Sequence, residues 1–109
     1  MTRIGSIAKG HPVYADEGDA EAVAFAKEYI GAHRGGWKVA SDIRPIDVRR
    51  EEAFRTAWRS EATRHGFGGS GTVIYTHRDS GARYEVDVTA GTGDFWSSNY
   101  RVTRMESAR

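Results

Sequence analysis

Cysteine is absent from this chain of 109 residues. Without thiols there is no disulfide, no thiolate metal site and no cysteine nucleophile, which fits a reducing compartment. Lysine and arginine together number 16 against 15 aspartates and glutamates, so the formal net charge is only +1. A charge this small excludes a bulk attraction to nucleic acid or anionic membranes and leaves only local patches for such binding.

Long apolar runs are also missing, and no apolar stretch of the sequence is long enough to span a bilayer. Met1 to Lys9 is too short and too polar for a secretory signal, so we expect a cytoplasmic protein without membrane contact. The histidines show no spacing typical of a metal site, and we expect neither a metal nor another cofactor. They are His11, His33, His65 and His77.

The composition that remains is that of an ordinary globular protein, with 39% hydrophobic and 28% charged residues. The length predicts one domain spanning residues 1–109 around a single core. Thirteen arginines against three lysines, with abundant alanine and glycine, are associated with GC-rich genomes. We therefore expect a bacterial or phage origin.

One glycine-rich stretch, Gly66 to Gly71, satisfies the letters G-x-G-x-x-G. It follows a predicted helix and precedes a predicted strand, whereas dinucleotide binding needs the opposite order. Ser70 and Ser80 lie in glycine turns without the strand–turn–helix frame of a nucleophile elbow. No motif in the chain therefore indicates a catalytic chemistry.

The clearest helical pattern runs from Asp47 to Gly66, with Asp47 as a cap and Gly66 as the closing residue. A second helix is predicted from Asp16 to His33, capped by Asp16 or Asp19. Four apolar residues of the first helix are expected to form its buried stripe. They are Val48, Phe54, Trp58 and Ala62.

Two other segments are weakly patterned. Residues 1–15 predict irregular structure with one strand at most. Residues Trp37 to Ile43 alternate in polarity, which favours a short strand or an extended connection into the main helix.

After the glycines come three strand patterns, separated by turn signals at 79–81 and 91–94. They cover residues 72–77, 83–89 and 95–103. If Arg78 pairs with Arg83, then Val73 and Tyr75 share a core face with Val86. A similar register for the second hairpin adds Trp96, Tyr100 and Val102 to that face.

Together these elements predict an α+β two-layer sandwich, with two helices on a C-terminal three-stranded antiparallel meander. The sequence also allows one extra strand, either in the N-terminal segment or at Trp37–Ile43. The order of elements is similar to that of the RelE/ParE family of small bacterial toxins, whose sheet carries ribonuclease residues. The resemblance is one of layout and rests on no matched residues. The chain also lacks the strong positive charge expected of a ribosome-directed nuclease.

The polar face of the predicted sheet carries the candidate chemistry. In the predicted register Glu85 faces Asn99, and Arg83 faces Arg101. With His77 at the strand end, Arg83, Glu85 and Arg101 could form an acid/base and anion-binding group acting on RNA. The simpler interpretation is a solvated sheet face with paired charges.

Our leading functional hypothesis is a small non-enzymatic binding or regulatory protein that acts through a protein–protein surface. Phe95 beside Arg101 would anchor the partner, with Glu85, Asp87 and Asn99 around them. A ribonuclease or a plain nucleic-acid-binding protein is the alternative, and a homodimer stays open.

Overall fold

The computed structural model describes residues 1–66, 70–90 and 97–108. The elements are β1 Thr2–Ser6, β2 Pro12–Ala15, α1 Ala20–His33, α2 Pro45–Ala57, β3 Trp58–His65, β4 Gly71–His77, β5 Arg83–Ala90 and β6 Ser98–Met105. The strands form one sheet in the order β1-β2-β6-β5-β4-β3, in which β2 and β6 are parallel. The α+β class with two helices is confirmed, but the sheet is mixed and has six strands instead of three.

Both helices cover the same face of the sheet, where the core lies. Phe25 of α1 is its aromatic centre, stacked on Tyr84 of β5 at 4.5 Å and edge-on to Trp58 of β3 at 4.8 Å. Phe54 brings α2 into this cluster, 6.0 Å from Phe25 between ring centroids. Val86 of β5 is almost fully buried beneath them. The core therefore joins both helices to the middle of the sheet.

The helix predicted from Asp16 to His33 is confirmed as α1, which begins at Ala20. Asp19 is the N-cap, and its carboxylate accepts hydrogen bonds from the backbone N–H groups of Glu21 and Ala22 at 3.2 Å. Arg104 of β6 forms an ion pair with Asp19 at 2.9 Å. The start of α1 is thereby fixed to the sheet.

The main helix is shorter than predicted, because α2 ends at Ala57 and β3 begins at Trp58. Trp58 and Ala62 are four residues apart, a spacing that fits one face of a helix and one face of a strand equally well. In the structure this segment is a strand because it pairs with β4, with Trp58 opposite His77 and Ala62 opposite Val73. The assignment of Gly66 as a helix end was therefore wrong.

Residues 1–15 form the antiparallel hairpin of β1 and β2, so the prediction of irregular structure with one strand was wrong. For residues Trp37 to Ile43 the strand alternative was wrong. The segment connects the helices through two short 3-10 turns, Arg34–Trp37 and Ala40–Asp42, with Lys38, Val39 and Ile43 in extended backbone. Pairing of β2 with β6 supplies the partner that the N-terminal segment lacks on its own.

The predicted faces of the first hairpin are correct although its register is shifted by two residues. Arg83 pairs with Thr76, not Arg78, and Tyr75 pairs with Tyr84. Because side chains alternate with a period of two, an even shift leaves each residue on its predicted face. Gly81, with φ of 78°, supplies the left-handed residue that the turn requires.

The second hairpin is shifted by four residues from its predicted register. Arg83 pairs with Met105, Glu85 with Thr103 and Asp87 with Arg101. The predicted pairs Arg83–Arg101 and Glu85–Asn99 are therefore wrong, while the core positions of Tyr100 and Val102 are correct. Trp96 lies outside the described residues.

In the described part of the chain, no helix has the length and apolar character needed to cross a membrane.

Candidate binding surfaces

The sheet face opposite the helices is referred to below as the outer face. The pairing registers place on it one alternate set of residues from each strand. These are Arg3, Tyr14, Arg59, Glu61, Arg64, Thr72, Ile74, Thr76, Arg83, Glu85, Asp87, Thr89, Asn99, Arg101, Thr103 and Met105. No helix of the described residues covers this face, and its charges are of both signs.

A polar cluster crosses the middle of the outer face. The Thr72 hydroxyl donates to Asp87 at 2.7 Å, and an Arg64 Nη donates to the same carboxylate at 2.7 Å. These bonds, that of Thr72 first, hold the pKa of Asp87 below its usual range. Arg101 faces Asp87 from β6 without forming an ion pair to any residue that the structure describes. Asp87 is thus already satisfied by its own sheet.

The sequence-predicted binding residues Glu85, Asp87, Asn99 and Arg101 all lie on the outer face, as does Arg83. They do not converge as predicted. Arg83 and Arg101 are separated by four residues along β5 and β6, which is about 13 Å of strand. This separation leaves them too far apart to bind one small anion together.

Two remaining candidates are placed elsewhere or not at all. His77 lies on the helix side, 4.9 Å edge-on to Trp58, and its Nδ1 accepts from the backbone N–H groups of Asp79 and Ser80. It therefore caps a turn on the face opposite to Glu85. Phe95 lies outside the described residues. Within the described ranges no group of three or more His, Asp or Glu side chains could hold a metal ion.

A second pattern on the outer face joins three neighbouring strands. Arg3 of β1 pairs with Tyr14 of β2, and Tyr14 pairs with Arg101 of β6, so one aromatic ring lies between two arginines. A shallow concavity of 280 Å³ adjoins Tyr14 and Arg101, with Thr89 and Asn99 also lining it. An aromatic ring with flanking arginines is suited to a base and its phosphates.

The most unusual surface lies away from the sheet, around the start of α2. Five large apolar side chains between positions 37 and 48 are exposed, and they are referred to below as the apolar segment. They are Trp37, Val39, Ile43, Ile46 and Val48. Outside this segment, Met1 is the one other large hydrophobic residue of the described chain that is exposed.

The apolar segment is held in place by polar contacts beneath it. Asp47 is buried, with 4% of its surface exposed, and its carboxylate accepts from Lys38 Nζ and from the Arg44 backbone N–H, each at 2.9 Å. These bonds, that from Lys38 first, lower the pKa of Asp47. Trp37 anchors the other end, its ring 3.9 Å from that of buried His11. The exposed side chains therefore project from a fixed backbone.

Helix geometry explains why Val48 is not in the core. Asp47 and Phe54 are seven residues apart, so they lie on nearly the same side of α2 and both point inward. Val48 and Ile46 then lie about 100° to either side of Asp47. The predicted stripe joined Val48 to Phe54, and that assignment was wrong, since Val48 is 46% exposed.

Sequence reasoning missed the apolar segment because the pattern places Trp37, Val39 and Ile43 in a strand or extended connection and Val48 in the helix core, and assigns no role to Ile46. No signal in the sequence separates these residues from core residues, because Trp37, Val39 and Ile43 alternate with polar residues as in a strand.

The chain matches no family model, and no curated protein or solved structure shows significant similarity to it. No comparison connects it to the RelE/ParE family. Its function must be argued from its surfaces alone.

Proposed function

We propose that this protein is a small, non-enzymatic binding module that acts in the cytoplasm of a bacterium or phage-infected cell through a protein–protein surface. The observation that carries the proposal is the apolar segment. A soluble domain rarely leaves several large apolar side chains exposed together unless they meet a partner. Trp37 is 52% exposed and Val39 is 64% exposed, so a partner could bury solvent-accessible apolar surface of both side chains.

The charges around the apolar segment favour one class of partner. Arg44 lies between its residues and Arg49 directly follows it, and neither forms an ion pair with any described residue, while Asp42 is the one exposed carboxylate between positions 37 and 48. An apolar centre with a basic rim is complementary to a protein surface that has an apolar pocket and an acidic rim. Trp37 would be the main anchor, since tryptophan and arginine dominate such interfaces.

The rigid support of the apolar segment also favours binding. Lys38 and Asp47 fix its backbone before any partner arrives, which lowers the entropy lost on association. A surface that is already ordered in the free protein changes its backbone conformation little when a partner binds. The segment is therefore suited to docking in the conformation described.

The test is affinity capture of a partner from the organism that encodes the protein, with three forms as bait. The wild type is compared with an Ile46→Ser/Val48→Ser variant and with an Arg83→Ser/Glu85→Ser control on the outer face. The proposal expects one partner that the wild type and the control retain and the first variant loses. Calorimetry with that purified partner should show at least a tenfold loss of affinity, about 1.4 kcal/mol.

A second candidate function is binding of single-stranded RNA on the outer face, favoured by the row Arg3–Tyr14–Arg101. Against it, Glu61 and Glu85 on the same face would repel phosphates. Fluorescence anisotropy with mixed-sequence RNA at low and physiological salt tests it. Binding that falls steeply with salt, and by about 1–3 kcal/mol in Tyr14→Ala, would support this candidate. No binding at low salt would remove it.

A further inference from the structure

A groove lies on the helix side of the molecule, between β1, α1 and α2. Its volume is 690 Å³, within the range of small-molecule sites. The buried side chains of Ile30 and Phe54 form its floor, and half-buried Ile4 and the small residues Ala53 and Ala57 form its walls. The surface inside is therefore mostly apolar. This groove shares no residue with the outer face or the apolar segment.

The rim of the groove is basic. Lys27, Arg34 and Arg50 line it, against the single carboxylate of Glu28. Glu28 accepts a hydrogen bond from the indole N–H of Trp58, which orients its carboxylate but leaves its charge in place, so the three cations outnumber one anion. Lys27 and Arg50 form no ion pair within the described residues. The rim thus has positive charge that its own side chains do not neutralise.

Two arginines line the groove from different segments of the chain. Arg34 directly follows α1, and one of its Nη–H groups donates to the Ser6 carbonyl at 3.2 Å, which leaves other N–H groups free to donate. Arg50 comes from α2 and lies over Gly31 of α1, where an added Cβ would stand 3.4 Å from Arg50 Cδ. The side chain of Arg50 therefore reaches across the groove toward α1.

We propose that this groove binds a single-chain amphiphile with an anionic head, such as a medium-chain carboxylate. The alkyl chain lies on Ile30 and Phe54, where it loses contact with water. The head meets Arg34 and Arg50, whose planar forks match a carboxylate or phosphate.

The test is a titration of isotope-labelled protein with dodecanoate below its micelle concentration, followed by amide chemical shifts. The proposal expects saturable shifts at Gly5, Gly31 and Ala53 and none at Val39 or Val48. This pattern separates the groove from the apolar segment, so failure here is distinguishable from failure of the proposed function. Shifts confined to the apolar segment, or no saturable shifts, overturn the proposal.

Two variants test the role of each part of the groove. Arg50→Ala should weaken dodecanoate binding at least about tenfold, while Arg49→Ala, the neighbouring exposed arginine, should leave it unchanged. Ala53→Phe, at an exposed position that tolerates size, should block the groove and abolish binding. Dodecanol, which has the same chain without the charge, should bind at least about tenfold more weakly. Equal binding of dodecanol, or equal loss in Arg49→Ala, contradicts the anionic assignment.

Discussion

Lys38 and Asp47 form an ion pair at 2.9 Å that lies directly under the apolar segment. Asp47 is buried and Lys38 partly so, although both belong to a surface connection between the helices. The same carboxylate accepts the Arg44 backbone N–H at the start of α2. One buried aspartate thus links the beginning of the helix to the connection before it and supports the backbone of the apolar segment.

Removal of this ion pair should loosen the apolar segment without unfolding the protein. In Lys38→Ala, the amide of Asp42, which donates to the Val39 carbonyl at 2.9 Å, should exchange with solvent faster than in wild type. Hydrogen exchange read by mass spectrometry or NMR measures this. Lys27→Ala is the matched control and should leave Asp42 exchange unchanged. Unchanged exchange in Lys38→Ala would mean that other contacts hold the segment.

Phe25 should be among the most costly core residues to truncate. Its ring contacts those of Tyr84, Trp58, Phe54 and Tyr75, so Phe25→Ala removes the centre of the aromatic cluster. We expect a loss of about 3–5 kcal/mol in the free energy of unfolding, measured by urea denaturation. Exposed Ile46→Ala should change it by less than about 0.5 kcal/mol. A loss below 1 kcal/mol for Phe25→Ala would contradict this core.

Thr72 should contribute to stability through Asp87. Its hydroxyl donates to Asp87 at 2.7 Å and is 3.3 Å from Arg64 Nε, in a side chain that is nearly buried. Thr72→Val should lower the free energy of unfolding by about 1 kcal/mol, because the Asp87 carboxylate loses a buried donor. Thr72→Ser should restore most of the loss. If Ser and Val were equally destabilising, methyl packing rather than the hydrogen bond would be the cause.

His33 should make stability depend on pH near neutrality. Burial lowers its pKa and outweighs the opposing effect of the hydrogen bond that Nδ1–H donates to the Tyr29 carbonyl at 2.8 Å, so the neutral ring is favoured in the folded state. The unfolded chain binds the proton more readily, with a pKa of about 6.5. The contribution is therefore complete above that pH and is lost as the pH falls through the lowered, folded-state value.

Urea midpoints at pH 7 and pH 5 test this pH dependence. Wild type should lose stability on acidification, and His33→Gln should lose less, because glutamine does not titrate. The same dependence in both proteins would show that another group is responsible.

The sequence predicted α1 correctly because its cap and its helical pattern are local. It predicted the strand faces correctly because side chains alternate with a period of two, so an even error in register does not change a residue's face. Val73, Tyr75 and Val86 share one face despite a shift of two residues between their strands. A shift by an even number keeps faces but changes neighbours, and this is why Arg101 meets Asp87 and not Arg83. Which residues face each other across two strands depends on the length of the connection between the strands, and an alternating pattern of polar and apolar residues does not specify that length.

The second half of the predicted main helix could not be assigned from its own residues. Its spacing from Trp58 to Ala62 fits either structure, and the choice depends on β4, which follows later in the chain. The candidate site was missed for a related reason. Val48 and Trp37 look like core residues in the sequence, and their exposure follows from Asp47 taking the inward side of α2.

The most direct test of the account is site-specific photo-crosslinking inside the native host. A benzophenone side chain replaces Ile46 or Val48 in the apolar segment, or exposed Thr103 on the outer face as the control. Because Ile46 and Val48 lie on opposite flanks of α2, the account predicts an adduct with a protein partner at one or both of positions 46 and 48 and none at position 103. An adduct at Thr103 alone, an adduct with a second copy of this chain, or no adduct at 46 and 48 would contradict it.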